Sequence, residues 1–298
     1  MVDDGNNSQP FYSSNGRKLL FVSQKRASHS QPQIYEKNLE SGEERRLTFQ
    51  NGTTFNPKYH PKEPWIVYSS TTDELKENPP LLNPTMESSI LPPHFQQPTE
   101  IYIHSLAGFE ITRVTDRMGY DGEPHFSPDG KQLMWTRVVK ARTQVVTLNQ
   151  LNKSLMVVNN LGVNPAHFVT SLDKKANAWI EWDADYTISK LKFRMGKTPA
   201  VEINEDHLVT KADVAFSPDN QFLLWSQYNA IGQHFEIWVY SLVNQCPYMV
   251  VGSDSADRRY PVFSPEMKVL TYTLIRNERS RIVNLPFVPP TGTCSSED

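Results

Sequence analysis

The sequence predicts an all-β fold, a six-bladed β-propeller built from four-stranded antiparallel blades. Three observations carry that expectation. One short phrase (proline, any residue, an aromatic, serine or histidine, then proline or serine) recurs in six copies along the 298 residues, one of them degraded. An apolar run ending in an aromatic follows five of the copies at a constant spacing. Two further apolar runs close most copies, so most units of 40 to 50 residues hold four strand-length segments, the mark of a propeller blade.

Composition agrees with this reading. Hydrophobic residues make up 38% and charged residues 21%, too apolar for a disordered chain and too charged for a membrane bundle. Lys plus Arg is 30 against 33 for Asp plus Glu, a net charge of −3. That balance lacks the basic excess of a phosphate-binding surface, so nucleic acid is not an expected partner. The 22 prolines and many aromatics, beside only 13 glycines, suit short strands and turns. No window offers the roughly 20 apolar residues that span a bilayer as a helix.

The fullest copy of the phrase is Pro124-His125-Phe126-Ser127-Pro128-Asp129-Gly130. Others start at Pro10, Pro57, Val214 and Pro261, and Pro165-Ala166-His167-Phe168 is the degraded copy. Starts at 10, 57, 124, 165, 214 and 261 give steps of 47, 67, 41, 49 and 47 residues. The Pro-Asp-Gly step is a turn, because proline presets its φ while Asp, Asn and Gly tolerate left-handed geometry. Seven residues after the phrase come Phe21, Tyr68, Trp135, Trp225 and Tyr272; the fourth unit has Trp179 and Trp182 instead, set later. Position-matched aromatics are what packing between neighbouring blades requires. Residues 1–9 read as a polar tail, 10–288 as the propeller and 289–298 as a C-terminal tail. The sixth unit lacks an evident fourth strand. Closure is expected from residues 2–8 or 287–293, or the last blade has three strands. Met1 to Gln9 has no basic start and no apolar core, so it is not a signal peptide. Either the protein is cytoplasmic or a leader has been removed. Cys246 and Cys294 either bridge the tail to the body or stay free.

Phe126-Ser127-Pro128-Asp129-Gly130, preceded by Asp121 and Pro124 and followed by an apolar-aromatic run, resembles the TolB-type propeller repeat. The Arg-Leu-Thr and Arg-Val-Thr endings at 46–48 and 113–115 fit the same repeat. The resemblance covers roughly residues 10–288 and implies a propeller. For function it implies binding to envelope proteins in a periplasmic or secreted setting. TolB carries a further N-terminal α/β domain, expected to be absent here because nine residues precede the first blade. Some related propellers accompany hydrolase domains, but no Gly-x-Ser-x-Gly elbow occurs.

Function is expected where the repeat is broken. The second unit is about 20 residues too long, and its surplus, 71–98, holds Pro79, Pro80, Pro84, Pro92, Pro93 and Pro98. This reads as a docked loop, a binding surface or a disordered insertion. Its start is a helical turn with Thr72 as N-cap and Asp73 and Glu74 in the first turn. Leu81, Leu82, Met86, Ile90 and Leu91 could dock it on the propeller. In the fourth unit, Glu181, Asp183 and Asp185 share one strand face and suit either a hard cation or a solvated turn. None of the eight histidines has a metal-type short spacing. His60, His125 and His167 lie on first strands, which line a propeller's channel, but at different registers from their prolines.

Asp121, Glu123, Asp213 and Asp257 precede or begin first strands and are expected to ring the channel mouth, with Arg258 and Arg259 as counter-charges. The candidate site is therefore Asp121, Glu123, His125, Asp213, Asp257 and Arg258, with Asp73 and Glu74 from the insertion. The expected function is a non-enzymatic module that binds a protein or peptide, without a cofactor or a metal. The alternative is a carbohydrate-active enzyme, a glycosidase or metal-dependent lyase, using mouth carboxylates or histidines. Ion-paired acids in an open funnel would favour binding over catalysis.

Overall fold

The computed structural model describes residues 4–77, 91–108, 110–203, 210–252 and 254–290. It is a six-bladed β-propeller: the described residues form five four-stranded sheets and one three-stranded sheet, every neighbouring pair within a sheet antiparallel and in sequence order. The first strands are Asn6–Tyr12, Thr54–Tyr59, Asp121–Phe126, Asn164–Thr170, Lys211–Phe216 and Asp257–Phe263. Blade one thus begins at Asn6, inside the segment expected to be a tail.

The repeated phrase has a mechanism. Ser127 Oγ donates to Asp129 Oδ1 at 2.7 Å and accepts from Gln132 N at 3.0 Å, and Asp129 Oδ1 also accepts from Lys131 N. This ties the turn between first and second strands, and Gly130 takes the left-handed conformation at its end (φ +76°). Ser171 and Asp173 form the same turn in blade four, with Lys174 left-handed at φ +60°. The fourth phrase therefore starts at Phe168, not at Pro165. From Leu172, which stands where Pro128 stands in blade three, the count of seven reaches Trp179, so the aromatic spacing holds in all six blades. Trp135, Trp179, Trp225, Tyr68 and Phe21 are each at most 2% exposed, and Tyr272 is 6% exposed. Burial of this size is the main favourable term holding blade to blade.

The Arg-x-Thr endings also have a role. Thr48 Oγ1 accepts from Ile34 N at 2.8 Å and Thr115 Oγ1 from Ile101 N at 2.9 Å, just beyond the short fourth strands Glu44–Arg46 and Ile111–Arg113. Each arginine donates back to the threonine carbonyl, Arg46 at 2.6 Å and Arg113 at 2.9 Å. The threonine hydroxyl continues the ladder where the strand stops.

The ring closes by packing blade one on blade six. Tyr12 OH and Thr271 Oγ1 are 2.7 Å apart, Gln9 N donates to Thr273 Oγ1 at 3.1 Å, and Ile282 joins Leu19, Phe21 and Tyr35 in one apolar cluster. Among the described residues no strand is exchanged between the two blades. Leu285 and Pro286 end the third strand of blade six, Arg279–Pro286, and Phe287 packs on Phe222 and Phe263.

The insertion leaves blade two through a helical turn, Glu74–Glu77. Its cap lies one residue later than expected: Asp73, not Thr72, supplies the carbonyl that accepts from Glu77 N, at 2.9 Å. Glu77 forks onto Arg113 at 2.8 and 2.9 Å, which pins this leg to blade two. Leu81, Leu82, Met86 and Ile90 lie outside the described residues. The returning leg has a second turn, Pro93–Gln96. There Leu91 (5% exposed) and Phe95 (2% exposed) pack with Tyr120, Trp182 and Tyr186 of blades three and four.

Candidate functional site at the channel mouth

Each first strand carries a β-bulge at the same place. One residue per bulge is left-handed, with φ between +49° and +58°: Gln9, Asn56, Glu123, His167, Asp213 and Tyr260. A bulge re-aims its side chain, and here all six point to the axis. None is glycine, although the conformation disfavours other residues. Six polar side chains held so, one from every blade, form a ring. The ring is shared by two cavities along the axis, an inner one of about 120 Å³ and a mouth of about 480 Å³.

Alternate members of the ring brace the next. Gln9 Oε1 accepts from Asn56 N at 2.6 Å, Glu123 Oε2 from His167 N at 3.0 Å, and Asp213 Oδ2 from Tyr260 N at 3.1 Å. Blades one, three and five thus satisfy the bulge N–H groups of blades two, four and six, which the sheet ladder leaves unpaired.

Both acids of the ring are ion-paired. Glu123 Oε1 stands 3.0 Å from His167 Nε2, while Thr136 Oγ1 donates to Oε2 at 2.7 Å. Burial works to raise the Glu123 carboxyl, but the His167 charge and hydrogen bond outweigh it and hold the pKa at about 2. Burial works against the His167 proton, yet Glu123 raises its pKa overall. Arg259 forks onto Asp213 at 2.6 and 3.2 Å; burial opposes the Asp213 charge, but Arg259 holds its pKa at about 2. The Arg259 guanidinium also lies 4.4 Å from the Phe235 ring centroid.

The returning leg of the insertion brings Pro92, His94 and Gln97 to the mouth. His94 keeps an exposed edge beside Phe95 and Trp182, with ring centroids at 3.9 and 6.5 Å. Desolvation by its surroundings, with a smaller push from His167, lowers its pKa to about 4. One donor atom each from His94, Glu123 and His167 lie within 4.8 Å of one another. In the inner cavity, Lys58 Nζ stands 4.3 Å from the Phe11 ring centroid. Burial depresses the Lys58 pKa to about 8, and burial together with Lys58 depresses that of His125 to about 4.

The expected site residues divide. Glu123 and Asp213 belong to the ring, and His125 to the inner cavity below it. Asp121 is 2% exposed and spent on Trp135 Nε1 and a fork from Arg137, at 2.7 to 3.0 Å. Asp257 accepts from Phe235 N at 2.8 Å, and Arg258 is buried on Asp254 and the Ala256 carbonyl; neither lines the two axial cavities. Asp73 accepts from Tyr102 OH at 2.7 Å, away from the mouth, and Glu74 opens the first helical turn. His60 is committed elsewhere: its Nδ1 accepts from Lys62 N and Glu63 N, and its Nε2 faces the Gly130 carbonyl at 3.3 Å. Asp183 caps a turn through Thr187 and Ile188, and Glu181 accepts from Val163 N, as a strand end and turn require. Gln9, Asn56, His94 and Tyr260 escaped the sequence reading. A signal existed for three of them: a polar residue stands directly before the phrase proline at Gln9, Asn56 and Tyr260.

No protein-family model and no curated protein sequence matches the chain. Solved structures match its fold. TolB from Acinetobacter baumannii is similar over 86% of this chain with a TM-score of 0.65 and 19% identity, and the chain spans 56% of that protein's length. An oligogalacturonate lyase from Vibrio parahaemolyticus is similar over 97% of this chain and 80% of its own, with a TM-score of 0.61 and 12% identity. The propeller domain of the Trilobed protease from Pyrococcus furiosus, described as having an open velcro topology, is similar over 95% of this chain and 85% of its own, with a TM-score of 0.54 and 12% identity. At these identities the likeness is one of fold.

Proposed function

We propose that the protein is a binding module that recognises a protein or peptide at the channel mouth, between the ring and the returning leg of the insertion. The observation that carries this reading is the pairing of the mouth's acids. Glu123 is held by His167 and Asp213 by Arg259, so each carboxylate is a fixed, ionised group with a partner. A glycosidase needs one carboxyl of raised pKa beside a second, ionised one; here both are depressed. The mouth instead offers rigid aromatic and polar contacts, Phe55, Tyr260, Phe235 and Gln97 among them, on a scaffold fixed by six bulges. Such a surface binds by shape and hydrogen bonding at little entropic cost.

An envelope or secreted setting fits the resemblance to TolB-type repeats and the disulfide-bonded state of Cys246. A carbohydrate-active enzyme is the second reading. The His94–Glu123–His167 cluster and the likeness to oligogalacturonate lyase favour it. Against it, a polyanionic uronate would need free cations, and Arg259 in the mouth is forked onto Asp213.

Selection of random displayed peptides on the immobilised chain, followed by titration of the recovered peptides, tests the proposal. Phe55→Ala and Tyr260→Ala should each weaken binding about tenfold or more, as central aromatic contacts do. Affinities unchanged in both variants would move recognition away from the mouth.

A further inference from the structure

We propose that His94, Glu123 and His167 form a site for a divalent transition-metal ion, of zinc type, which fastens the returning leg of the insertion to blades three and four. Three separate elements supply the donors. His94 comes from the turn Pro93–Gln96, Glu123 from the first strand of blade three and His167 from the first strand of blade four. Their donor atoms already lie within 4.8 Å of one another. Around a tetrahedral ion with bonds of about 2.0–2.2 Å, ligand atoms stand roughly 3.3 Å apart. The closure still needed can come from rotation of His94, whose side chain is exposed, while the other two stay fixed.

Glu123 is arranged for the task. Its Oε2 is occupied by Thr136 Oγ1 and His167 N, which fixes the carboxylate plane and leaves Oε1 turned toward the two imidazoles. A carboxylate oriented by outer hydrogen bonds is a common feature of metal sites. Two imidazoles and one carboxylate suit zinc, cobalt or nickel, whereas magnesium and calcium prefer all-oxygen sets. The fourth position would face the mouth cavity, open to water or to a ligand atom. Asp213 and Arg259, the nearest other charges, largely cancel each other through their own pair.

Both imidazoles must present an unprotonated nitrogen to the ion, so binding should weaken at acidic pH.

Cobalt(II) reads the site without any activity. Titrating Co²⁺ into the purified chain should produce the visible d–d absorption of a low-coordinate site, saturating at one ion per chain. His94→Ala removes a ligand, and metal-free thermal unfolding of the variant controls for the packing on Phe95 that is lost with the ring. The substitution should abolish the absorption and weaken Co²⁺ binding by more than the 10- to 100-fold that outer-shell changes cost. His167→Gln should do the same. No absorption in the wild-type chain overturns the proposal. So does absorption that persists in His94→Ala, which places the ion elsewhere.

Discussion

Glu123 divides its two oxygens between structure and site. Oε2 closes a backbone gap at the bulge of blade four, and Oε1 pairs with His167 Nε2. The pair makes stability depend on pH at both ends. The Glu123 pKa is lowered on folding from 4.5 to about 2, so its stabilisation is complete above 4.5 and is lost as pH falls toward 2. The His167 pKa is raised above 6.5, so its contribution is complete below 6.5 and fades as pH rises through the folded value. His94, Asp213 and Arg259 also face the pair and modulate both ends. Melting temperature against pH should fall more steeply in the wild type than in Glu123→Gln, both below pH 4.5 and above pH 6.5. Parallel curves would show that the pair does not stabilise the fold. The sequence marked Glu123 because it stands at a strand start. It marked Asp121 and Asp257 on the same ground, and these turned inward or to a neighbouring backbone. In an extended strand, residues two apart share a face, but the bulge breaks that alternation, so position alone did not separate channel acids from structural ones.

At the scale of the element, the turn between first and second strands is the repeat's most regular part. Gly130 sits in it at φ +76°, and an added Cβ would come within 2.4 Å of the His60 ring of blade two. Gly130→Ala should therefore cost roughly 2 kcal/mol or more, combining left-handed strain with overpacking between blades. Urea unfolding checks this, with Gly196→Ala as the control, since Gly196 (φ +52°) has open space around it. Equal losses in the two variants would leave only the backbone cost and remove the contact between blades from the account. The blade count, the strand order and the aromatic layer were all legible in the sequence, because each blade repeats the same packing problem. Blade four was read three residues out of register because Pro165 imitates the phrase proline. The Ser171–Asp173 turn shows that Phe168 occupies the equivalent place.

At the scale of the whole molecule, six blades meet at a polar ring whose members lie far apart in sequence. Closure depends on apolar and hydroxyl contacts between blades one and six. The excess length of the second unit was plain in the sequence, but its landing place was not. Leu91 and Phe95 dock against residues of blades three and four, and this carries His94 over the ring. Such long-range placement has no local signature. The most direct test of mouth recognition is a crystal structure of the chain with a tightly bound selected peptide. Peptide should be seated against Phe55 and Tyr260, beside His94. Peptide lying instead along the exposed outer strand of blade three, Leu155–Val157, with the mouth free of it, would place recognition outside the mouth.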